Sequence, residues 1–189
     1  MSERGALRGR ELVIGVTGGI AAYKTAALVS QLVQAGSGVT VVMTDAARQF
    51  VGPPTFAALT GRRVGGDLFQ PDEHPLGAHI ELAEAGELLC IAPATAQFLA
   101  KAAHGLADDL LSTLYLCFAG PILLAPAMNC EMWEKPAVQR NVQRLREDGV
   151  QLVDPEEGWL SCRRRGMGRM AAPEAILAAI IDLLPAARR

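Results

Sequence analysis

The sequence lacks the features that mark membrane, secreted and nucleic-acid-binding proteins. None of its apolar runs approaches the length that spans a bilayer. The N-terminal residues 1–4 are mostly polar or charged and are followed by no apolar signal core, so we expect no export. The net charge is −2, without the excess of lysine and arginine that is typical of nucleic-acid binding. We therefore expect a cytoplasmic protein whose partners include neither a membrane nor a nucleic acid.

Cysteine is also scarce, and its few positions are scattered along the chain. The four residues, Cys90, Cys117, Cys130 and Cys162, form no CxxC pair. Such spacing argues against a structural zinc site and against a disulfide framework. We expect no metal site, and a reducing compartment fits the four thiols.

What the chain does contain is a regular alternation of apolar segments. Half of its 189 residues are apolar, which is enough for one domain with a sizeable core. Runs rich in aliphatic residues predict strands at 12–16, 39–44, 87–92, 121–125 and 149–153, with helical patterns between them. This alternation predicts an α/β fold, a single doubly wound, Rossmann-like or flavodoxin-like parallel sheet with helices on both faces. We expect a tail at 1–10, followed by one domain at 11–189.

Three segments outside the predicted strands have distinct sequence patterns. The stretch 131–147 has a helical pattern and predicts one helix. The stretch 62–78, rich in glycine, proline and charge, predicts a long surface loop of the kind that is often functional. The stretch 154–170 contains several glycines and predicts an irregular segment.

The most informative local pattern is a glycine turn between the first strand and the first long helix. Gly18 and Gly19 follow an apolar run and precede an alanine-rich helical pattern. A strand, a tight turn and a helix in this order direct free backbone N–H groups at an anion, most often a phosphate. The other predicted strand ends carry Thr44, Thr95 and Asn129, and ligands of such sheets bind beyond these ends.

Several phosphate ligands can be tested against this turn. A P-loop needs a glycine directly before its Lys-Ser/Thr pair, whereas Tyr23 precedes Lys24 here. The dinucleotide fingerprint needs a different glycine spacing, although Asp45 lies where a ribose-binding carboxylate is expected. A mononucleotide such as FMN fits the pattern better. The alternative that the two glycines form only a tight turn stays open.

Three side chains are candidates for chemistry, each with a plain structural alternative. His79 can act as a base near neutral pH, or it can be structural. The amide of Asn129 can donate to a substrate carboxylate, or it can cap the helix that follows. Cys162 precedes three arginines, 163–165, whose charge would favour the thiolate and could also hold an anionic group of a substrate.

Taken together, five stretches resemble one known family. In chain order they are Gly-Gly-Ile-Ala-Ala-Tyr-Lys at 18–24, His-Ile-Glu-Leu at 79–82, Pro-Ala-Thr-Ala at 93–96, Pro-Ala-Met-Asn-Cys-Glu-Met-Trp at 126–133, and Cys162 with Gly-Met-Gly-Arg-Met at 166–170. The sequence is similar to the homo-oligomeric flavin-containing cysteine decarboxylases over residues 11–179. The stretch at 126–133 is the most specific of the five.

The resemblance implies an FMN enzyme of coenzyme A biosynthesis that converts 4'-phosphopantothenoylcysteine to 4'-phosphopantetheine. In that family, the flavin oxidises the cysteinyl side chain, CO2 leaves, and the resulting enethiol is reduced again. The resemblance implies His79, Asn129 and Cys162 as catalytic residues, with Asn129, Met132, Arg163 and Arg165 binding substrate. It implies that FMN contacts Gly18, Gly19, Ile20, Thr44, Thr95, Ala96, Gln97 and Ala127.

The resemblance also implies how the chain assembles. Its relatives form homo-oligomers, either trimers or dodecamers built from trimers, with active sites between subunits. Many bacterial relatives carry a second domain that joins cysteine to phosphopantothenate. We expect this ligase step to need another protein here.

Some residues depart from the family pattern and leave other functions open. They are Glu84, where relatives often have Lys or Arg, Gln97, where they have Asn or Asp, and the arginines 163–165, where a Gly-Asp pair is common. One alternative is a decarboxylase for a lantibiotic-type peptide that ends in cysteine. A second is a flavin prenyltransferase, although those relatives lack the stretches at 79–82 and 126–129. A third is a non-enzymatic regulatory flavoprotein.

Overall fold

The computed structural model describes residues 3–69 and 75–184, and within this part the core is one five-stranded parallel sheet. The strands are β1 (Glu11–Val16), β2 (Gly38–Met43), β3 (Leu88–Ala94), β4 (Ile122–Pro126) and β5 (Gln151–Leu152). Their spatial order is β2-β1-β3-β4-β5, the order of flavodoxin-like folds. The predicted α/β fold with a parallel sheet is therefore confirmed.

Helices cover both faces of this sheet. In chain order they are α1 (Glu3–Ala6), α2 (Ala22–Gln34), α3 (Asp45–Arg48), α4 (Pro53–Thr60), α5 (Ala78–Ala85), α6 (Ala96–His104), α7 (Leu110–Cys117), α8 (Cys130–Trp133), α9 (Pro136–Glu147) and α10 (Pro173–Leu183). In the part of the chain that is described, no helix combines the length and the apolar character needed to cross a bilayer.

Alternate side chains of each central strand enter two separate cores. In β1, Leu12 and Ile14 pack with residues of α2 and α10, whereas Val13 packs with residues of α6 and α7. Every residue of β3 is buried. Because both faces are covered, a central strand is apolar along its whole length, and this is the pattern that the sequence shows.

The segment predicted as an N-terminal tail packs against the domain. Leu7 is completely buried in the core on the α2 side of the sheet. The Gly9 amide donates to the Gly36 carbonyl at 2.9 Å, and the Ser37 hydroxyl donates to the Leu7 carbonyl at 3.0 Å. Residues 7–10 thus belong to the folded unit rather than to a tail.

The single helix predicted at 131–147 is wrong, because it is two helices, α8 and α9. Pro136 is the first residue of α9, and Lys135 before it has an extended backbone at φ −62° and ψ 131°. Proline disfavours the helical conformation at the residue before it, so the helix breaks here. The break separates α8 from α9.

The irregular segment predicted at 154–170 is wrong in part, since it contains an antiparallel hairpin. Its strands are β6 (Glu156–Trp159) and β7 (Arg165–Arg169). Apart from Trp159 and Met167, both strands consist of glycine and charged residues, so the alternating apolar pattern that predicts a strand is absent. In the loop predicted at 62–78, Gly65 pairs with Val42 at the edge of the main sheet, and residues 70–74 lie outside the described part.

Candidate active site

Two neighbouring cavities open at the carboxyl ends of β1–β4, where the fold predicts a ligand. The smaller has a volume of about 310 Å³ and the larger about 580 Å³. Gly18, Thr95 and Gln97 line both of them. Of the other predicted site residues, the smaller cavity is lined by Thr44, and the larger by Gly19, Ile20, Ala96, Ala127, Asn129, Met132 and Cys162.

Buried hydroxyl groups hold the turn after β1 against the end of β3. The Thr17 hydroxyl donates to the Pro93 carbonyl at 2.6 Å and accepts from the Thr95 amide at 3.1 Å. One side chain therefore joins the end of β1 to the end of β3. The Thr25 hydroxyl donates to the Ala92 carbonyl at 2.6 Å and fastens α2 to the same strand end. We call this turn after β1, together with the end of β3, the floor of the site.

Gly18 lets the floor approach α3 more closely than any other residue would allow. A Cβ atom at Gly18 would lie 2.3 Å from the Ala46 Cβ, whereas one at Gly19 would lie 3.6 Å from Thr95. Thr95 caps α6 by accepting from the Phe98 amide at 3.3 Å. The starts of α2 and α6 thus meet at the floor, and helix N-termini favour a bound anion.

Asn129 both caps a helix and lines the larger cavity, so the two roles predicted for it are compatible. Its Oδ1 accepts from the Glu131 amide at 2.8 Å, at the start of α8. The side-chain NH2 group is then left as the donor for a ligand.

The hairpin of β6 and β7 forms the opposite wall and places Cys162 at its tip. The Leu160 amide donates to the Arg164 carbonyl at 2.8 Å, which closes a three-residue loop. Arg163 in this loop has φ 61°, a left-handed conformation that disfavours a residue with a Cβ. Cys162 itself is exposed and lines the larger cavity.

The hairpin packs against the turn between β4 and α8 through a glycine. The Met128 amide donates to the Gly168 carbonyl at 2.9 Å. Gly168 has φ 134°, and a Cβ atom there would lie 2.3 Å from the Met128 carbonyl oxygen. This contact aligns the hairpin with the segment that presents Asn129.

The arginines that follow Cys162 lie outside the cavities. Neither Arg163 nor Arg165 lines one, so their role in substrate binding stays a prediction. The Arg165 Nε lies 3.2 Å from Glu157 Oε1 on the neighbouring strand. Arg164 donates to Glu131, the second residue of α8.

His79 is not brought to either cavity within this chain. It lies half-buried on α5, which packs against α7, and its backbone carbonyl accepts from the Cys117 thiol at 3.3 Å. Its Nδ1 atom is buried and has no hydrogen-bond partner among the described residues. Three apolar side chains of the same region, Leu76, Ile80 and Leu116, are exposed.

Comparison with known proteins places this arrangement in a family. Residues 1–185 match the family described as Flavoprotein. The chain belongs to this family. Curated relatives include the coenzyme A biosynthesis bifunctional proteins CoaBC of Bacillus subtilis, 44% identical over 90% of this chain, and Haemophilus influenzae, 44% identical over 93%. These matches cover 42% and 44% of the relatives, so the chain spans about two fifths of their length.

Solved structures agree with the family assignment. The FMN-dependent cysteine decarboxylase SpaF is 38% identical, with a TM-score of 0.79, over 94% of this chain and 98% of SpaF. A cysteine-to-serine mutant of PPC decarboxylase, complexed with pantothenoylaminoethenethiol, is 28% identical, with a TM-score of 0.84, over 92% of this chain and 97% of that one.

Two cations of this flavoprotein's larger cavity were missed by the sequence analysis. Lys24 and Arg169 both line it, and the Lys24 ammonium donates to the Met170 carbonyl at 2.9 Å. Burial and the nearby Arg169 charge lower the pKa of Lys24. Both residues lie inside the stretches at 18–24 and 166–170, but only the fold shows that they line one cavity.

A third cation shapes the smaller cavity. The Lys101 ammonium lies 2.6 Å from Asp108 and 2.8 Å from Asp109. Burial opposes its charge, but the hydrogen bonds to the two carboxylates outweigh burial and raise the pKa of Lys101. Since Asp109 also caps α7, Lys101 ties that helix to α6.

Proposed function

We propose that this chain is an FMN-dependent decarboxylase that converts 4'-phosphopantothenoylcysteine to 4'-phosphopantetheine in coenzyme A biosynthesis. The observation that carries the proposal is a single cavity lined by the glycine turn of the floor, by Asn129 and by Cys162. The named activities of CoaBC, of PPC decarboxylase and of SpaF support it.

The residues at the floor fit a flavin mononucleotide. The close approach at Gly18 and the helix starts provide backbone N–H groups, and the exposed Ile20 and Met132 provide apolar surface for a planar ring. We assign FMN to Gly18, Gly19, Ile20, Thr44, Thr95, Ala96, Gln97 and Ala127. When bound, FMN would take two electrons from the cysteinyl side chain and return them after CO2 has left.

The chain's own residues hold the substrate and move protons. The Asn129 NH2 group would donate to the carboxylate that is lost, beside Met132. The Cys162 thiol would deliver a proton to the decarboxylated product. His79 would act as the base or proton relay.

His79 can serve this site if a second copy of the chain provides it. Within one chain it lines neither cavity, yet it lies among the exposed apolar side chains Leu76, Ile80 and Leu116. Such a patch favours contact with another copy. We propose a homo-oligomer, either a trimer or a dodecamer built from trimers, with each site formed between subunits.

Mixed oligomers test this arrangement. His79→Asn and Asn129→Ala are each expected to be inactive, because each variant lacks one half of every site. Mixing and reassembling the two should restore a fraction of the activity, since some interfaces then combine an intact His79 with an intact Asn129. If mixtures that contain both variants in one oligomer stay inactive, His79 acts within its own chain or is structural.

Product analysis tests the reaction itself. The purified protein is incubated with FMN and 4'-phosphopantothenoylcysteine, and CO2 and 4'-phosphopantetheine are followed by mass spectrometry. We expect both products, and flavin retained on the protein. A protein that binds FMN but releases no CO2 would contradict the proposed reaction, and one that binds no FMN would contradict the cofactor assignment as well.

A different cysteine-terminated substrate is the second candidate. Among the solved structures it is supported by the 38% identity to the cysteine decarboxylase SpaF, against 28% to PPC decarboxylase, whereas the 44% identity to CoaBC supports the first candidate. Turnover of a peptide ending in cysteine, at a higher kcat/KM than for 4'-phosphopantothenoylcysteine, would support this candidate.

We also propose that the reaction takes place in the cytoplasm. All four cysteines are free, and Cys117 and Cys162 are exposed. Exposed thiols persist in a reducing compartment. Recovery of the protein with the soluble cytoplasmic fraction of its source cells would support this location, and recovery outside the cytoplasm would contradict it.

A further inference from the structure

Two positively charged side chains line the larger cavity, where the start of α2 faces the base of the hairpin. Lys24 comes from α2, and Arg169 is the last residue of β7. Both line the cavity that Asn129 and Cys162 also line. The donor set is therefore built from two elements that are far apart in sequence.

The position of Arg169 is defined by its neighbours. Its guanidinium lies 2.7 Å from Glu156 Oε2. It also lies against Gly158, where a Cβ atom would be 2.7 Å from the Arg169 Nε. Gly158 thus leaves room for the side chain, and Glu156 fixes its direction.

The cluster formed by Lys24, Arg169 and Glu156 keeps a net positive charge. Glu156 is one carboxylate beside two cations, and the Ala172 amide donates to it at 3.2 Å. This hydrogen bond, with the neighbouring charge of Arg169, lowers the pKa of Glu156, so Glu156 stays ionised at neutral pH. Lys24 uses one of its three donors on the Met170 carbonyl, which leaves the others for a ligand.

We propose that Lys24 and Arg169 form a subsite for a phosphate monoester, which we assign to the distal end of the substrate. This assignment rests on the proposed function and names the feature that would distinguish the phosphorylated substrate from a peptide. A lysine and an arginine together suit a phosphate dianion, because both make charge-assisted hydrogen bonds with its oxygens. The flavin phosphate is the other possible source of such a ligand, and the affinity for FMN relative to riboflavin distinguishes the two.

The test compares two substrates that differ only in the phosphate. We measure kcat/KM for 4'-phosphopantothenoylcysteine and for pantothenoylcysteine with the FMN-loaded protein and with K24Q, R169Q and the conservative R169K. In the native protein we expect a preference for the phosphorylated substrate. Each Gln variant should reduce this preference about 10-fold, the effect of one lost charge-assisted hydrogen bond, and R169K should reduce it less.

A matched control removes a positive charge elsewhere. Arg140 is exposed on α9 and lines neither cavity, so R140Q should keep the native preference. Binding of 4'-phosphopantetheine and pantetheine, measured by calorimetry, gives a readout that does not depend on turnover. Here too, K24Q and R169Q should weaken binding of the phosphorylated compound selectively.

The outcomes separate this inference from the proposed function. A native protein that turns over both substrates equally well contradicts the subsite but keeps the reaction, whereas one that turns over neither contradicts the reaction. Equal losses on both substrates in K24Q and R169Q would show a structural role and overturn the subsite. A selective loss of affinity for FMN relative to riboflavin would assign the cluster to the flavin and overturn the proposal.

Discussion

The polar side chains of the floor and those of the hairpin opposite it are held in place by different forces. Buried hydrogen bonds of Thr17 and Thr25 and a close backbone contact at Gly18 hold the floor. Side chains of the hairpin form ion pairs, and the partners in the pair between Arg165 and Glu157 are mostly exposed. Exposed pairs contribute about 0–1 kcal/mol each, whereas a buried polar group left without its partner costs about 1–3 kcal/mol.

This contrast matches the tasks that we propose for the two regions. A flavin that stays bound through many turnovers benefits from a floor that does not change shape. A substrate that enters and leaves needs a wall whose contacts break at little cost. The hairpin therefore combines the Cys162 thiol with weakly held side chains.

The largest expected effect comes from substituting Gly18. In Gly18→Val the new side chain would overlap Ala46, because even a Cβ atom would lie 2.3 Å from the Ala46 Cβ. We expect a loss of about 3 kcal/mol or more in the free energy of unfolding, and loss of bound FMN. Urea unfolding and flavin absorbance measure the two effects.

Gly19→Ala is the matched control for folding, since its Cβ would make an ordinary contact of 3.6 Å with Thr95. Its free energy of unfolding should change by less than about 1 kcal/mol. Equal stability of Gly18→Val and Gly19→Ala would contradict the close contact at the floor.

A smaller loss in the free energy of unfolding is expected for Thr17→Val. The substitution keeps the shape but leaves the Pro93 carbonyl and the Thr95 amide without their partner. We expect a loss of about 1–3 kcal/mol in the free energy of unfolding and weaker FMN binding. Thr60→Val is the control, because its hydroxyl donates to Phe56 within α4, away from the floor. A loss no larger than that of the control would mean that the Thr17 bridge contributes little.

The smallest change in the free energy of unfolding, and one of opposite sign, is expected for a substitution in the hairpin. Arg163 has φ 61°, which glycine adopts without strain. Arg163→Gly should raise the free energy of unfolding by up to about 1 kcal/mol, whereas Arg163→Val should lower it by about 1–2 kcal/mol. Thermal unfolding of both variants provides the measurement. Two changes of the same sign and size would show that the loop conformation is not under strain.

The fold and the floor could be predicted because both follow from local patterns. Buried parallel strands are apolar throughout, as in β3, and the carboxyl ends of such strands meet at one edge of the sheet. The predicted fold and the predicted flavoprotein family are confirmed by the sheet order and by the family match. The Gly18 turn and Thr95 line the cavities at this edge.

The hairpin could not be predicted, because β6 and β7 consist mostly of glycine and charged residues and because the hairpin packs against segments distant in sequence. Gly168, for example, packs on the Met128 carbonyl, a contact that no local pattern contains. Arg165 adjoins the Cys162 loop in sequence but pairs with Glu157. Lys24 and Arg169 are 145 positions apart, so only the fold shows that they line one cavity.

In the proposed reaction the floor and its flavin serve decarboxylation, whereas the hairpin thiol serves the reduction that follows. Cys162→Ser tests this division most directly. In the proposed reaction, oxidation and loss of CO2 need the flavin, a base and a hydrogen bond from Asn129 to the carboxylate, and none of these is Cys162. Delivery of a proton at the final reduction needs an acid such as the thiol.

The measurement is anaerobic mixing of Cys162→Ser with 4'-phosphopantothenoylcysteine, with CO2, flavin absorbance and product mass followed together. We predict that CO2 is released, that the flavin absorbance stays bleached, and that the oxidised enethiol accumulates. Formation of the reduced 4'-phosphopantetheine at a near-native rate, with the flavin colour restored, would contradict this division and leave Cys162 as a loop residue without a role in the reaction.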